Sequence, residues 1–510
     1  MTMPRSTVSA HRLALPHHAR RMAARCTALL ASVTLAACAV GPDYHPAKIE
    51  LPTRFKEGAT WQRSEANPQG ALASQWWLVF NDPQLTQLLQ QSLQANQSIV
   101  AAEAAYRVAQ AEVDADTASL FPVLSADLSG TRSNSGSNSG GTGATATSTG
   151  GTTAPHNLVN ASLTASWEPD LWGSVRRQIE SGKATAQAAD ATLAGERLSI
   201  AASVAGDYFA LREYDTDIDL LQKQQVIDAR LLDVARANFQ QGTGSNDELL
   251  VAEDTLESVI AELQTSKIAR EQEEHAIAVL LGVAPANFTI AAQADYAYNN
   301  PEVPLVLPSV LLQRRPDVVT AERTAAAANA RIGVAEAAFF PTLGLSAQGG
   351  FEHNTLAHLF SLPSRVWTVG PDLAATLFDG GARTAAVHQA EATYDEDAAN
   401  YKQAVLTAFQ NVEDSLSSVN HLNDEVQAFQ HVYQRNQQLF ASEQAQLKAG
   451  TASEANLLTQ QLTLLTAEQS LRDAQGQVAQ SKILLIKNLG GGWSAAPKPV
   501  TGQSPPPGNQ

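Results

Sequence analysis

Among side chains that could do chemistry, the 510-residue chain has 51 Asp and Glu, 11 His and two Cys, Cys26 and Cys38. Their spacing builds no catalytic centre. There is no G-x-x-x-x-G-K-[ST] loop to cradle a phosphate and no H-E-x-x-H pair to hold zinc. The His residues after residue 37 (His45, His156, His275, His353, His358, His388, His421 and His431) have no ligand spacing, so neither metal nor cofactor is expected, and the chain does not read as an enzyme. The formal charge of −17 argues against nucleic acid as a partner, because phosphate binding needs clustered Lys and Arg. With 44% hydrophobic and 17% charged residues the chain is of folding composition. What stands out is where the cysteines lie: both are in the first 40 residues.

The elements around them explain that position. Arg5, Arg12, Arg20, Arg21 and Arg25 precede an apolar run from Ala28 to Ala37, with no acid before Asp43. A positive segment followed by a short apolar one reads as a secretory signal, too short to span a bilayer. The run closes on Leu35-Ala36-Ala37-Cys38, which resembles the lipobox of bacterial lipoproteins. That resemblance implies cleavage before Cys38 and acylation of its thiol, a tether to outer-membrane lipid. Residue 39 is Ala rather than Asp, which favours the outer membrane. Loss of residues 1–37 removes five Arg and no acid, taking the charge from −17 to −22, and leaves one Cys. Beyond Cys38 no stretch is apolar for the ~18 residues a spanning helix needs, so a membrane crossing requires a closed β-barrel.

The remaining chain is one unit written twice. A shift of 219 lays Asn96–Ser129 on Arg315–Gln348, matching Ile99 to Val318 and Phe121-Pro122 to Phe340-Pro341. A shift of 208 lays Gly173–Gly282 on Gly381–Gly490, matching Val204 to Val412 and Gly242-Thr243 to Gly450-Thr451. The 11-residue difference falls in the first copy, where Ser133–Thr153 is almost wholly Ser, Gly, Thr, Asn and Ala and reads as an exposed loop. No Pro occurs between Pro169 and Pro285 or between Pro371 and Pro497, windows of 115 and 125 residues rich in helix formers. Leu457, Leu464, Leu471, Val478 and Leu485 repeat every seven residues, as do Leu249, Leu256, Leu263 and Ile277 with Arg270 as the exception. Such a repeat drives helix-on-helix supercoiling. A helix over 173–242 would be about 100 Å long, with return helices of roughly 60 Å, the proportions of a helical tube.

Four segments alternate with a period of two. Val159, Ala161, Leu163, Ala165 and Trp167 oppose Asn160, Ser162, Thr164, Ser166 and Glu168. Leu343, Leu345, Ala347, Gly349 and Phe351 alternate with polar or Gly neighbours; so do Trp367, Val369, Pro371, Leu373, Ala375 and Leu377. Val123 to Thr131 reads similarly. Each is of membrane-strand length, ~9–12 residues. Four strands cannot close a barrel, since the smallest membrane barrels use about eight. The barrel must therefore be shared: two chains would give eight strands with an interior filled by side chains, and three would give twelve and room for a pore.

These features together resemble the TolC-like outer-membrane efflux channels, NodT-type lipoprotein subgroup. The residues that carry the resemblance are Cys38-Ala39-Val40-Gly41-Pro42-Asp43-Tyr44, Trp76-Trp77-Leu78-Val79-Phe80 with Asp82-Pro83, Arg314-Arg315-Pro316-Asp317, Phe340-Pro341, Leu377-Phe378-Asp379-Gly380-Gly381 and Leu489-Gly490-Gly491. It implies a homotrimer: four β-strands per chain in a twelve-stranded transmembrane barrel, over a long antiparallel α-helical barrel. It also implies docking to a periplasmic membrane-fusion adaptor and an inner-membrane pump. Gly242, Thr243, Gly450 and Thr451 match the tips that meet the adaptor. Asp247, Glu248, Glu454 and Asn456 match the region of the aperture; Asn456 departs from the family's usual carboxylate. Repeated carboxylates on the wall would favour cations and neutral amphiphiles.

The expected division is a signal at 1–37, a lipidated periplasmic segment at 38–84, repeat one at 85–300, repeat two at 301–492 and a disordered tail at 493–510. Within the repeats the expected parts are hairpins at about 121–168 and 340–378, helix 317–338, long helices 173–242 and 381–450, and return helices 243–282 and 451–489. The function expected is a passive exit duct for small amphiphilic compounds such as antibiotics. The alternatives are metal-ion or protein export through the same architecture, and a structural coiled-coil envelope lipoprotein.

Overall fold

A computed structural model describes residues 39–50, 52, 55–57, 75–133, 155–303 and 314–492. The elements, in order, are helices α1 (Pro83–Ala95) and α2 (Gln97–Ala118), strands β1 (Val123–Ser133) and β2 (His156–Trp167), and helices α3 (Ser174–Gln240) and α4 (Asn246–Leu280). Then follow α5 (Pro316–Ala337), β3 (Thr342–His353), β4 (Arg365–Ala374), α6 (Ala382–Lys448) and α7 (Glu454–Asn488). The two long helices, α3 and α6, have 67 residues each and the two return helices 35 each, so the copies are equal in measure. β4 stops at Ala374, short of the alternation expected to Leu377. The chain there turns to cap α6: Asp379 accepts from the Gly381 and Arg383 amides at 3.0 and 3.2 Å, and Gly380 and Gly381 take positive φ.

The chain forms two compact units, each drawing on both repeats. One gathers residues 110–184 and 326–395 with the segment before Pro46. It holds a single antiparallel sheet in the order β1-β2-β3-β4, leaving β1 and β4 as open edges. Register decides its character. Leu128 lies opposite Ala161, Ala161 opposite Phe351, and Phe351 opposite Arg365; one step along, Leu163 meets Gly349 and Gly349 meets Trp367. All four apolar alternations thus share one face. Ser162, Gly350, Thr164, Gln348 and Thr368 share the other.

The second unit holds residues 46–109, 185–325 and 396–510, where described. Its core obeys the repeat. Ile277 and Leu485, Leu281 and Leu489, and Val204 and Val412 are equivalent pairs, and every member is fully or almost fully buried. The return helices end alike: Gly282 and Gly490 take positive φ, and a side chain on either would strike the backbone of Ala95 or Arg314, themselves equivalent. The Trp-Trp segment forms a short 3₁₀ turn, Trp76–Phe80, that buries Trp76, Trp77 and Phe80. Asp82 then caps α1 through the amides of Gln84 and Leu85 and accepts the hydroxyls of Tyr208 and Tyr296, both at 2.8 Å.

Candidate functional site

Three places bear on function: the segment after Cys38, the helical-hairpin turns, and the sheet. Cys38 lies outside the described residues; its neighbours do not. The Val40 amide donates to the Trp172 carbonyl at 3.0 Å. Arg177, buried on α3, donates to the carbonyls of Val40 (3.1 Å) and Gly41 (2.9 Å) and to Asp43 (3.0 Å), while its third arm reaches Glu180 (2.7 Å). Asn329 on α5 holds the Pro42 carbonyl at 2.9 Å. Gly41 is required: its φ is +99°, and a side chain there would collide with Gly333. Trp172 donates to the Pro341 carbonyl at 2.7 Å and stacks on Phe340 at 4.7 Å. The Phe-Pro motif is therefore part of the clamp beside Cys38. Nothing local in the sequence flags Arg177, since its role comes from a partner 137 positions away.

At the turns the two copies use the same chemistry. Gly242 and Gly450 sit at φ +71° and +74°, and the following Thr amides reach back to Asn238 and Gln446 at 2.9 and 3.0 Å, with the Thr hydroxyls on the same carbonyls at 3.1 Å. Ser245 and Ser453 then cap the return helices through the Glu248 and Asn456 amides, each at 3.1 Å. In the first copy Glu248 also accepts from the Ser245 amide at 3.2 Å, completing a capping box that Asn456 does not complete. Asp247 is exposed in the first turn of α4, a favourable place for a carboxylate. Glu454 is held by both arms of Arg230 on α3, at 2.7 and 3.0 Å, which lowers its pKa below the usual carboxylate range. The sequence-expected carboxylates thus cluster at the turns, and two of them already have structural partners.

Deeper along the helices lie charges that sequence reading did not single out. Arg212 and Asp215 form a fully buried pair at 2.7 Å, and Arg270 bridges Asp215 (2.7 Å) and Glu274 (2.6 Å). Arg270, the one break in the seven-residue repeat, therefore ties α4 to α3 through Asp215. The network also receives the connection after α4: Arg270 donates to the Ile290 carbonyl and Arg212 to that of Ala291. Separately, Glu213 on α3 faces Asp473 on α7, near Asp217 and Tyr298. Burial first, then the neighbouring carboxylates, pushes Glu213 and Asp473 up to about 7. Gln480 and Gln469 donate to Glu213 and Asp217, both at 3.3 Å, and no cation neutralises this group among the described residues.

The apolar face of the sheet is uncovered in the single chain. Leu124, Leu128, Leu163, Trp367, Val369 and Leu373 are 55% to 72% exposed. Among the described residues no helix is long and apolar enough to cross a membrane. A broad exposed apolar face flanked by two unpaired edges marks a surface for lipid and for further strands. The profile of the family described as Outer membrane efflux protein matches residues 88–283 and 307–491.

The chain belongs to the outer membrane efflux protein family.

The antibiotic efflux pump outer membrane protein ArpC of Pseudomonas putida is 29% identical over 460 residues, covering 90% of this chain and 93% of its own. Nodulation protein T of Rhizobium leguminosarum bv. trifolii is 28% identical over 474 residues, covering 92% and 97%. The solved outer-membrane channel OprN superposes with a TM-score of 0.79 at 27% identity, covering 89% of this chain and all of that one. This efflux protein is therefore an outer-membrane channel component.

Proposed function

We propose that three copies of the chain pool their sheets into a twelve-stranded barrel, tethered by an acylated Cys38, and act as a passive exit duct for small amphiphilic compounds. The observation that carries this is the four-stranded sheet with one largely apolar face and two open edges. In lipid an unpaired strand edge is prohibitive, so the edges pair with those of other copies. Relatives named for antibiotic efflux support the cargo class.

On this reading the turns at Gly242-Thr243 and Gly450-Thr451 meet a periplasmic adaptor, which links the duct to an inner-membrane pump that supplies the energy. Asp247, Glu248, Glu454 and Asn456 border the aperture, with Glu454 drawn toward Arg230 rather than free to face the axis. The test is a deletion strain complemented with the chain: susceptibility to amphiphilic antibiotics falls with wild type. Unchanged susceptibility in a strain that relies on this channel would refute the cargo class.

A further inference from the structure

The loop between β3 and β4 differs in composition from the Ser- and Gly-rich segment of the first hairpin. It is held by its own bonds. The His358 carbonyl accepts from the hydroxyls of Ser361 (2.8 Å) and Ser364 (3.0 Å), the Thr355 amide donates to His353 Nδ1 (3.0 Å), and Leu359 is fully buried. Yet this ordered loop presents Leu356, Phe360 and Leu362 at 72%, 73% and 85% exposure. Phe360 meets Phe351 edge-to-face at 5.5 Å, and Phe351 lies on the apolar face of the sheet, so the loop extends that face beyond the strand ends.

The same face carries a cation at this rim. Arg365 lies opposite Phe351 on the same face and is exposed, and its guanidinium has no ion-pair or hydrogen-bond partner among the described residues. In the same loop His353 and His358 meet edge-to-face at 5.7 Å. An apolar platform edged by a free guanidinium suits an amphiphile whose chains lie on the aromatics and whose phosphate reaches the fork of the Arg. In water about three large apolar side chains would stay hydrated, at a cost that lipid removes. In a shared barrel the strand beyond β4 is a second copy's β1, and the sequence that follows β1, residues 134–154, consists of Ser, Gly, Thr, Asn and Ala with no large apolar side chain.

We propose that the β3–β4 loop, with Phe351 and Arg365, seats a phosphate-bearing, multiply acylated lipid of the outer leaflet. The proposal rests on the shared-barrel reading, which turns the apolar face to lipid. Its test uses the full-length lipidated trimer in nanodiscs of brominated phosphatidylethanolamine and lipid A. Cys38 is the sole other cysteine after signal removal, and its sulfur is acylated on that reading, so Leu362→Cys takes a single fluorophore. Bromine quenching at Leu362→Cys as deep as at the mid-face control Leu163→Cys is expected. Quenching at Leu163→Cys alone overturns the seat. A blue-shifted but unquenched label at residue 362 means that a second copy covers the loop, and also overturns it. No quenching at either position refutes the barrel reading itself. In native mass spectrometry, Arg365→Gln should retain lipid A about tenfold less than wild type while retaining its dephosphorylated form equally. Equal retention of both lipids by the variant overturns the phosphate contact.

Discussion

Arg177 gathers two carbonyls and a carboxylate of the segment that follows Cys38, a set of contacts worth more than any single surface pair. Arg177→Met should free that segment, and trypsin should cut after Lys48 at least roughly tenfold faster, since each charged hydrogen bond contributes about 1.5–3 kcal/mol. An unchanged cleavage rate would mean that the clamp is not what holds it. Cys38→Ser should abolish palmitate labelling outright; persistent labelling would remove the lipidation assignment. Glu213 makes a pH prediction. Its pKa rises from 4.5 to about 7 through burial and the adjacent carboxylates. A raised folded-state value means that its favourable contribution is complete below about pH 4.5 and is lost as pH climbs through 7. Glu213→Gln should therefore raise the thermal midpoint at pH 8, by roughly 1–3 °C, and leave it unchanged at pH 4. A gain of equal size at both pH values would deny the ionisation argument.

At the scale of elements, the long helices owe their length to Pro-free, helix-forming sequence and their pairing to a seven-residue stripe whose burial deepens toward Leu485. The turns that reverse them rest on one residue each. Replacing Gly242 or Gly450 with Leu forces a branched side chain to φ above +70°, at about 1–2 kcal/mol. Open space surrounds both glycines in the chain, so the trimer should persist while export fails. Undiminished drug efflux would withdraw the adaptor assignment. Where the stripe is broken, Arg270 substitutes ionic bonds for apolar contact. Arg212→Met leaves Asp215 buried with one of its two cationic partners, and should lower stability by about 3–5 kcal/mol, read as a lower temperature for losing the folded helical signal.

For the whole molecule the sheet sets the assembly. Among the described residues β1 and β4 have no partner on their outer sides, and the apolar face between them has no cover. Detergent-solubilised mature protein should have the mass of three protomers. A stable monomer would remove the shared barrel, and with it the duct.

Much of this was legible in the residues, for physical reasons that differ by feature. Helix extent, the Gly turns and the strand alternations are local properties of propensity and period, so Gly242 and Gly450 marked where the long helices turn. The tandem repeat declared which cores would be equivalent, as Ile277 and Leu485 are. Three things were beyond local reading. Strand register determines that all four apolar alternations share a face, and a slip of one residue would have reversed any of them. The clamp of Arg177 on residues 40–43 and the capture of Glu454 by Arg230 join positions separated by well over a hundred residues. The shared elevation of Glu213 and Asp473 arises because α3 and α7 bring their carboxylates together away from water. Sequence alone determined what each segment could become; only the tertiary structure decided which charges meet, because a charge's partner depends on distance in space rather than along the chain.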